Sequence, residues 1–409
     1  MTNNQDSQHI QNRLQGITVW DGVNDLGPAN LGWIGDRIDE VAPIAKESER
    51  YAGLALIPGL VDTHLHLGGP AAPKDERILD GWEWRVSPET KALHIAGHAG
   101  RAMRMGITTL RETAGDEPHV AARDAFEQGV LLGPRMFVYG MVSMTAGHGQ
   151  STMPGSSAGR ARVADGPVEC RKTVREFARD GVDGIQIATS GSVISRGDPS
   201  RWRNYTRGEY NAIVDEAHAL GLPVTAHAHT EIGVEVALAE AVDSLQHASL
   251  ITSEQAGRTA EVGIPIAPAL RSQDRFADGT LPCSEAVQAK AKELVVHRDQ
   301  RLRQARQVGV PFVLGSDADG HRLDFDSAYE ELVRHREVLG LTDAKALASG
   351  TSEAAEALGA GDRVGRIAPG YAADFLVLRS KPWKRIDTLR PENVVAVVCR
   401  GRVVAGRLP

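Results

Sequence analysis

From Gly59 to Val364 the chain alternates short apolar runs with amphipathic stretches, and this alternation restricts the fold more than any other feature. The runs are Gly59–His64, Ile107–Arg111, Arg135–Val142, Gly184–Ala188, Pro223–Ala226, Ser244–Gln246, Pro265–Ala267 and Pro311–Leu314. Each has strand length, and helical patterns fall between them. Thr206-Arg-Gly-Glu209 and Thr252-Ser-Glu-Gln255 read as capping boxes, and Ala286–Gln307 as one long helix. Strand then helix, repeated this often, calls for a parallel sheet closed into a (β/α)₈ barrel. An open doubly wound sheet would want a GxGxxG turn after its first strand, and HLHLGGP does not supply one. Ile17–Leu56 and Gly365–Pro409 share another texture, β-like pieces separated by turn residues. The expected organisation is therefore residues 1–58 and 365–409 building one small β-domain, with residues 59–364 as the barrel.

The net charge of −7 gives no basic surface for nucleic acid or an acidic membrane. The first residues, MTNNQDSQHIQNRLQG, lack the apolar core of a signal peptide. No run reaches the about 18 apolar residues that a membrane span needs. Cys170, Cys283 and Cys399 are widely spaced without a CxxC, which supports neither a disulfide framework nor a thiolate zinc site. A cytoplasmic, reduced protein is expected, with a small-molecule partner.

Chemistry-bearing residues gather at the predicted strand ends. His64 and His66 stand two apart, so in a strand both project to the same face. His148 follows the third strand, His227 and His229 end the fifth, His247 the sixth, and Asp317 and Asp319 the eighth. Singly, each has a plain explanation: a lone His is usually a satisfied polar group, and SDADG could be a turn. Imidazole or carboxylate at the ends of several strands of one barrel instead describes a metal centre.

These motifs resemble the metal-dependent amidohydrolase superfamily. GLVDTHLHLGG, GITTLRETAG, TAGHGQ, VTAHAHTEIGVEVALAEAVDSLQHASLI, VLGSDADG and GRIAPGYAADFLVL are similar to its branch of imidazolonepropionase-like hydrolases and Xaa-Pro or Xaa-Arg dipeptidases. The resemblance implies a (β/α)₈ barrel with a small β-sandwich from both chain ends. It implies a divalent metal, zinc or another ion such as cobalt or manganese. His64, His66 and Asp317 would hold the more buried ion, and His227 and His247 the more exposed one. Asp317 would deprotonate the attacking water, His148 would stabilise the oxyanion, and His247 would act as ligand or acid/base. His229 is expected to point away from His227 and to serve among the substrate contacts. A homo-oligomer is expected.

One position departs from that pattern. Where the family carries a bridging carboxylated lysine on the fourth strand, DGIQIATSGS places Gln186. An amide is neutral and offers at most one weak oxygen ligand. One tight metal is therefore expected, on His64, His66, His227 and Asp317 with His247 as ligand or acid/base, and a weaker second site; the competing expectation is that Gln186 ligates or bridges through its side-chain oxygen. Phenylurea and molinate hydrolases resemble this chain in carrying an amide there, although theirs is Asn.

Specificity in barrels belongs to the strand-to-helix loops. The candidate substrate contacts are Trp82 and Trp84 in the first loop, Arg271 after the seventh strand as partner of a substrate carboxylate, and His321 beyond Asp317. Arg196, Arg201, Trp202 and Arg203 lie in the fourth loop. The expected activity is hydrolysis of an amide, urea or carbamate C–N bond, in an N-acyl or aryl amide or a xenobiotic, with dipeptide cleavage less favoured. The alternative is a mononuclear-metal deaminase or cyclic-amide hydrolase, with Glu231 as an unmatched candidate acid.

Overall fold

A computed structural model describes residues 11–71, 82, 86–148, 162–193 and 201–409. The chain forms two compact units. The first holds residues up to Val61, Met103–Thr109 and Asp343–Pro409; the second holds Asp62–Ala102 and Leu110–Thr342.

In the first unit, β1 (Gln11–Trp20), β2 (Asp25–Ile34), β3 (Arg37–Pro43) and β4 (Ala55–Pro58) come from the chain start. Past the seven strands β5–β11 of the second sheet, β12 (Phe375–Leu378), β13 (Val394–Cys399) and β14 (Arg402–Gly406) come from its end. They join in the order β14-β13-β12-β4-β1-β2-β3. Both chain ends thus share one continuous hydrogen-bonded ladder, where the expected sandwich implied two. β4 lies at its centre, parallel to β1 and antiparallel to β12. Alternating apolar residues on one face, among them Leu14, Leu31, Trp33, Phe375 and Val398, form its core. The Trp33 ring meets Phe375 edge-on at 5.2 Å and donates its indole N–H to the Gly401 carbonyl at 3.0 Å.

The second sheet runs β5 (Leu60–Leu65), β6 (Ile107–Gly115), β7 (Arg135–Val142), β8 (Gly184–Ala188), β9 (Val224–Ala228), β10 (Ser244–His247) and β11 (Ile266–Ala267), neighbour beside neighbour. The recorded registers are parallel. Helices follow the strands. The capping boxes form at Thr206 and Thr252, and the long helix spans Glu285–Gln307.

The expected eighth strand is an extended segment, residues 310–318, carrying only single bridges, to Leu65 on one side and to Ile266 on the other. Backbone hydrogen bonds from Thr63 to Leu314 and from Asp317 to His64 tie it to β5, and Ile266 to Pro311 and Val313 to Ile266 tie it to β11. It therefore lies between the sheet's two edges. The buried Asp62 carboxylate accepts both the His64 and the Ser316 N–H at 3.1 Å, clipping this seam. Burial pushes the Asp62 carboxyl up to about 6, against these hydrogen bonds.

Gly315 sits where the seam is tightest. A Cβ there would stand 2.7 Å from the Ala267 Cβ and 2.8 Å from the His64 Cβ. Gly315→Ala should destabilise the protein by about 1–3 kcal/mol through overpacking. An unchanged urea midpoint would show that the seam has room to spare.

Candidate metal centre

β5, β9, β10 and the segment 310–318 all end on the same side of a parallel sheet, so their last side chains converge. His64 and His66, two apart, both reach Asp317: His64 Nε2 lies 3.4 Å and His66 Nε2 3.3 Å from Asp317 Oδ1. Asp317 Oδ2 accepts the Ser272 hydroxyl at 2.9 Å. Beside this group, the His227 ring lies 4.7 Å from both His229 and His247, and His229 stacks on His247 at 4.2 Å. His148 packs on His227 at 4.2 Å, and His64 lies 5.1 Å from His247. Two donor sets result, His64/His66/Asp317 and His227/His229/His247, the donor atoms within each lying within 4.8 Å of one another.

His229 corrects the expectation that it points away from His227. Residues two apart along extended backbone share a face, so the reasoning that gave His64 and His66 a common direction applies equally to VTAHAHT. His229 is buried inside the cluster.

Electrostatics divide the two sets. Burial, and then the neighbouring rings, hold His64, His227 and His229 well below the usual imidazole range, with His247 also lowered. Burial, followed by His247 and His66, pushes His148 down to about 3. His66 goes the other way. Burial opposes its charge, yet Asp317 on one nitrogen and Glu112 on the other raise it well above the usual value. Asp317 is held far below the carboxylate range although burial opposes this, chiefly by His64 and the His66 hydrogen bond. Two carboxylates flanking one imidazole mark a place of negative potential suited to a cation.

Backbone strain coincides with the donors. His247 (φ 66°) and Asp317 (φ 56°) adopt the left-handed conformation, which costs a non-glycine residue about 1–3 kcal/mol. The Asp317 N–H bond to the His64 carbonyl offsets part of that strain at the seam.

Gln186 lies buried on β8, donating its amide N–H to Gln246 Oε1 at 3.0 Å, while Gln186 Oε1 has no hydrogen-bond partner among the described residues. Arg271 is engaged elsewhere: its Nε pairs with Glu330 at 2.5 Å. Asp319 is a turn cap, accepting the N–H groups of His321, Arg322 and Leu323. His321 is buried. Trp82 packs on His94 at 4.6 Å. Arg201, Trp202 and Arg203 are exposed, whereas Trp84 and Arg196 lie outside the described residues.

The sequence reading missed a supporting layer. Glu112, within β6, lies 3.6 Å from His66 Nδ1, accepts the Leu67 N–H at 2.5 Å and faces His119 Nε2 at 3.5 Å. His119 reaches Asp116 at 2.6 Å, and Asp116 pairs with Lys91 at 2.6 Å. The signal was present, since a carboxylate closing the apolar run ITTLRE needs a buried partner. Ser272, Gln273 and Ser249 had no such signal.

The amidohydrolase family model matches residues 55–404. The chain belongs to the amidohydrolase family. It is 28% identical to ochratoxinase of Aspergillus niger over 372 residues, 85% of this chain and 74% of that one. It is 27% identical to imidazolonepropionase of Deinococcus radiodurans over 408 residues, covering 90% and 88%. Among solved structures, a Xaa-Pro dipeptidase with methionine bound in its active site superposes with a TM-score of 0.82 at 27% identity, covering 96% and 99%. The protein is thus an amide-hydrolysing enzyme of a family that uses divalent metals, and no helix among its described residues is long and apolar enough to cross a membrane.

In this amidohydrolase the donor chemistry suits such an ion. The His64/His66/Asp317 set includes one carboxylate and is backed by a second, Glu112. Glu112 fixes the His66 ring from behind, so Glu112→Gln should weaken metal affinity by about 10–100-fold. Chelator competition measures this, with circular dichroism confirming the fold; unchanged affinity would reduce Glu112 to packing.

Proposed function

We propose that this enzyme cleaves an amide, urea or carbamate C–N bond with water, and that one divalent ion, zinc, cobalt or manganese, is held tightly by His64, His66 and Asp317. His227 and His247 would hold a second ion more weakly, because Gln186 cannot supply the anionic bridge of a carboxylated lysine. The observation that carries the reading is Asp317 Oδ1 lying within 3.4 Å of both His64 and His66, with its other oxygen anchored by Ser272. The named activities of the relatives, on ochratoxin-type amides, imidazolone rings and Xaa-Pro dipeptides, support C–N hydrolysis as the shared chemistry.

The bound metal would supply Lewis acidity toward the scissile carbonyl and acidify water. The chain's own residues do the rest. Asp317 stays ionised, so it can accept a proton from the attacking water and return it to the leaving nitrogen. His148 is neutral, so one ring nitrogen keeps a hydrogen to donate toward the carbonyl oxygen as charge develops there. Its seat against His227 places that donor beside the metal ligands. The substrate is an N-acyl or aryl amide or a related xenobiotic; the Arg271–Glu330 pairing argues against Arg271 as a ready partner for a substrate carboxylate.

Metal analysis after dialysis should find one retained equivalent, absent in His64→Ala; two retained equivalents in the wild type would overturn the single tight site. Assays on anilides, phenylureas and N-acyl amino acids test the bond class. Hydrolysis of none of them, with ammonia released from amino-heterocycles instead, would favour a deaminase. His148→Asn should lower kcat by about 10²–10³-fold with metal content unchanged. Undiminished turnover in that variant would remove His148 from the reaction.

A further inference from the structure

Hydrogen bonds around His227 and His229 orient the second donor set. The Gln273 amide sits between two kinds of group that allow it only one orientation. Its Nε2 donates to the Pro268 carbonyl at 2.9 Å and the Ala269 carbonyl at 3.3 Å, both of which only accept. Its Oε1 faces the Arg298 guanidinium at 3.5 Å, which only donates. Turning the amide over would set oxygen against oxygen and nitrogen against nitrogen. Ser249 therefore meets an acceptor, and its hydroxyl hydrogen goes to Gln273 Oε1 at 3.0 Å. A serine has one hydrogen, so Ser249 Oγ must accept from His229 Nδ1 at 3.0 Å. His229 thus carries its proton on Nδ1, and Nε2 is bare.

The Gln273 amide also stands against His247, its Nε2 lying 3.4 Å from the ring's Nδ1. His227 Nε2 lies 3.4 Å from the Gly191 carbonyl, again an acceptor only. His227 and His229 each direct one N–H to an acceptor, and with His247 their rings are buried together, the three donor atoms within 4.8 Å of one another. Nitrogen lone pairs gathered in this way repel one another, and a cation relieves that repulsion. Three imidazoles with a fourth position open is a ligand set that catalytic divalent metals accept.

We infer that His229, together with His227 and His247, forms a three-imidazole site for a second divalent ion, and that this trio takes the place of the bridging ligand which Gln186 cannot provide. The inference rests on the metal-dependent reading above and deepens it. Ser249 and Gln273 are positioning residues in this scheme, since they set which nitrogen of His229 is free.

Cobalt(II) titration of the metal-free protein, followed by visible absorption, tests it. The wild type should take up one tight equivalent and then a weaker second with its own absorption. His229→Asn should lose the second equivalent and keep the first. Ser249→Ala should weaken the second by about 10–100-fold. Gln186→Met should leave it in place. Uptake identical to wild type in His229→Asn, or loss of the second equivalent in Gln186→Met but not in His229→Asn, would overturn the trio while leaving the tight site standing. No uptake at all by the wild type would overturn both readings. Selective ¹⁵N labelling of histidine gives a check independent of any variant's folding: His229 should show a protonated Nδ1, and a protonated Nε2 would sink the inference.

Discussion

The seam between β5 and the segment 310–318 is the constraint on which the site depends. β5 carries His64 and runs into His66, the segment carries Asp317, and they are far apart in sequence. The reciprocal bonds of Thr63 to Leu314, Asp317 to His64 and His66 to Ala318 set their register. A slip of one residue would turn every side chain to the opposite face and take both imidazoles away from the carboxylate. Asp62 opposes such a slip, because its carboxylate holds the N–H of His64 and of Ser316 at once. Gly315 permits the close approach. The metal-binding geometry is therefore a by-product of how the sheet's edges are joined, and the left-handed backbone at Asp317 is strain stored at that junction.

A second support stands behind the opposite wall. The buried Glu331 carboxylate accepts the N–H groups of Leu270 and Arg271, the first two residues of the helix Leu270–Asp278. A carboxylate at a helix N-terminus satisfies orphan donors and favours the helix dipole. Arg298, itself buried, binds the Leu270 carbonyl and Asp274 of the same helix. Held at both points, the helix presents Ser272 to Asp317 and Gln273 to the Ser249–His229 chain. Consecutive residues of one helix thus reach both donor sets, which couples their geometry to a single rigid element.

Much of this was legible in the sequence because it depends on local pattern. Strand-length apolar runs, two capping boxes and the long helix are set by periodicity and by side chains three residues apart. HxH and the strand-end histidines followed from the same rule of alternation. His229 was misjudged only because that rule was not applied to the second HxH. What stayed hidden was long-range. Glu331 and Leu270 lie 61 residues apart, and Ser272 and Asp317 lie 45 apart, so no spacing rule connects them. The run expected as the eighth strand forms only isolated bridges, and the close approach at Gly315 and the left-handed backbone at Asp317 are features of closure and not of propensity.

Gln186 is the position at which the proposed centre differs most from one bridged by a carboxylated lysine. A carboxylated lysine contributes negative charge between two cations; an amide contributes none, and here its N–H is given to Gln246. If the remaining ligands were unchanged, the second ion would face an under-charged set and strong repulsion from the first. Two features of the cluster would counter this. The carboxylate pair, Asp317 and Glu112, lies on the His64/His66 side and would screen a first ion, and His229 would give the second set a third donor. Charge would then be concentrated at one position and donor number at the other. Such a division would favour unequal ions, one held by electrostatics and one by coordination, with the second beside the His148 ring that packs on His227.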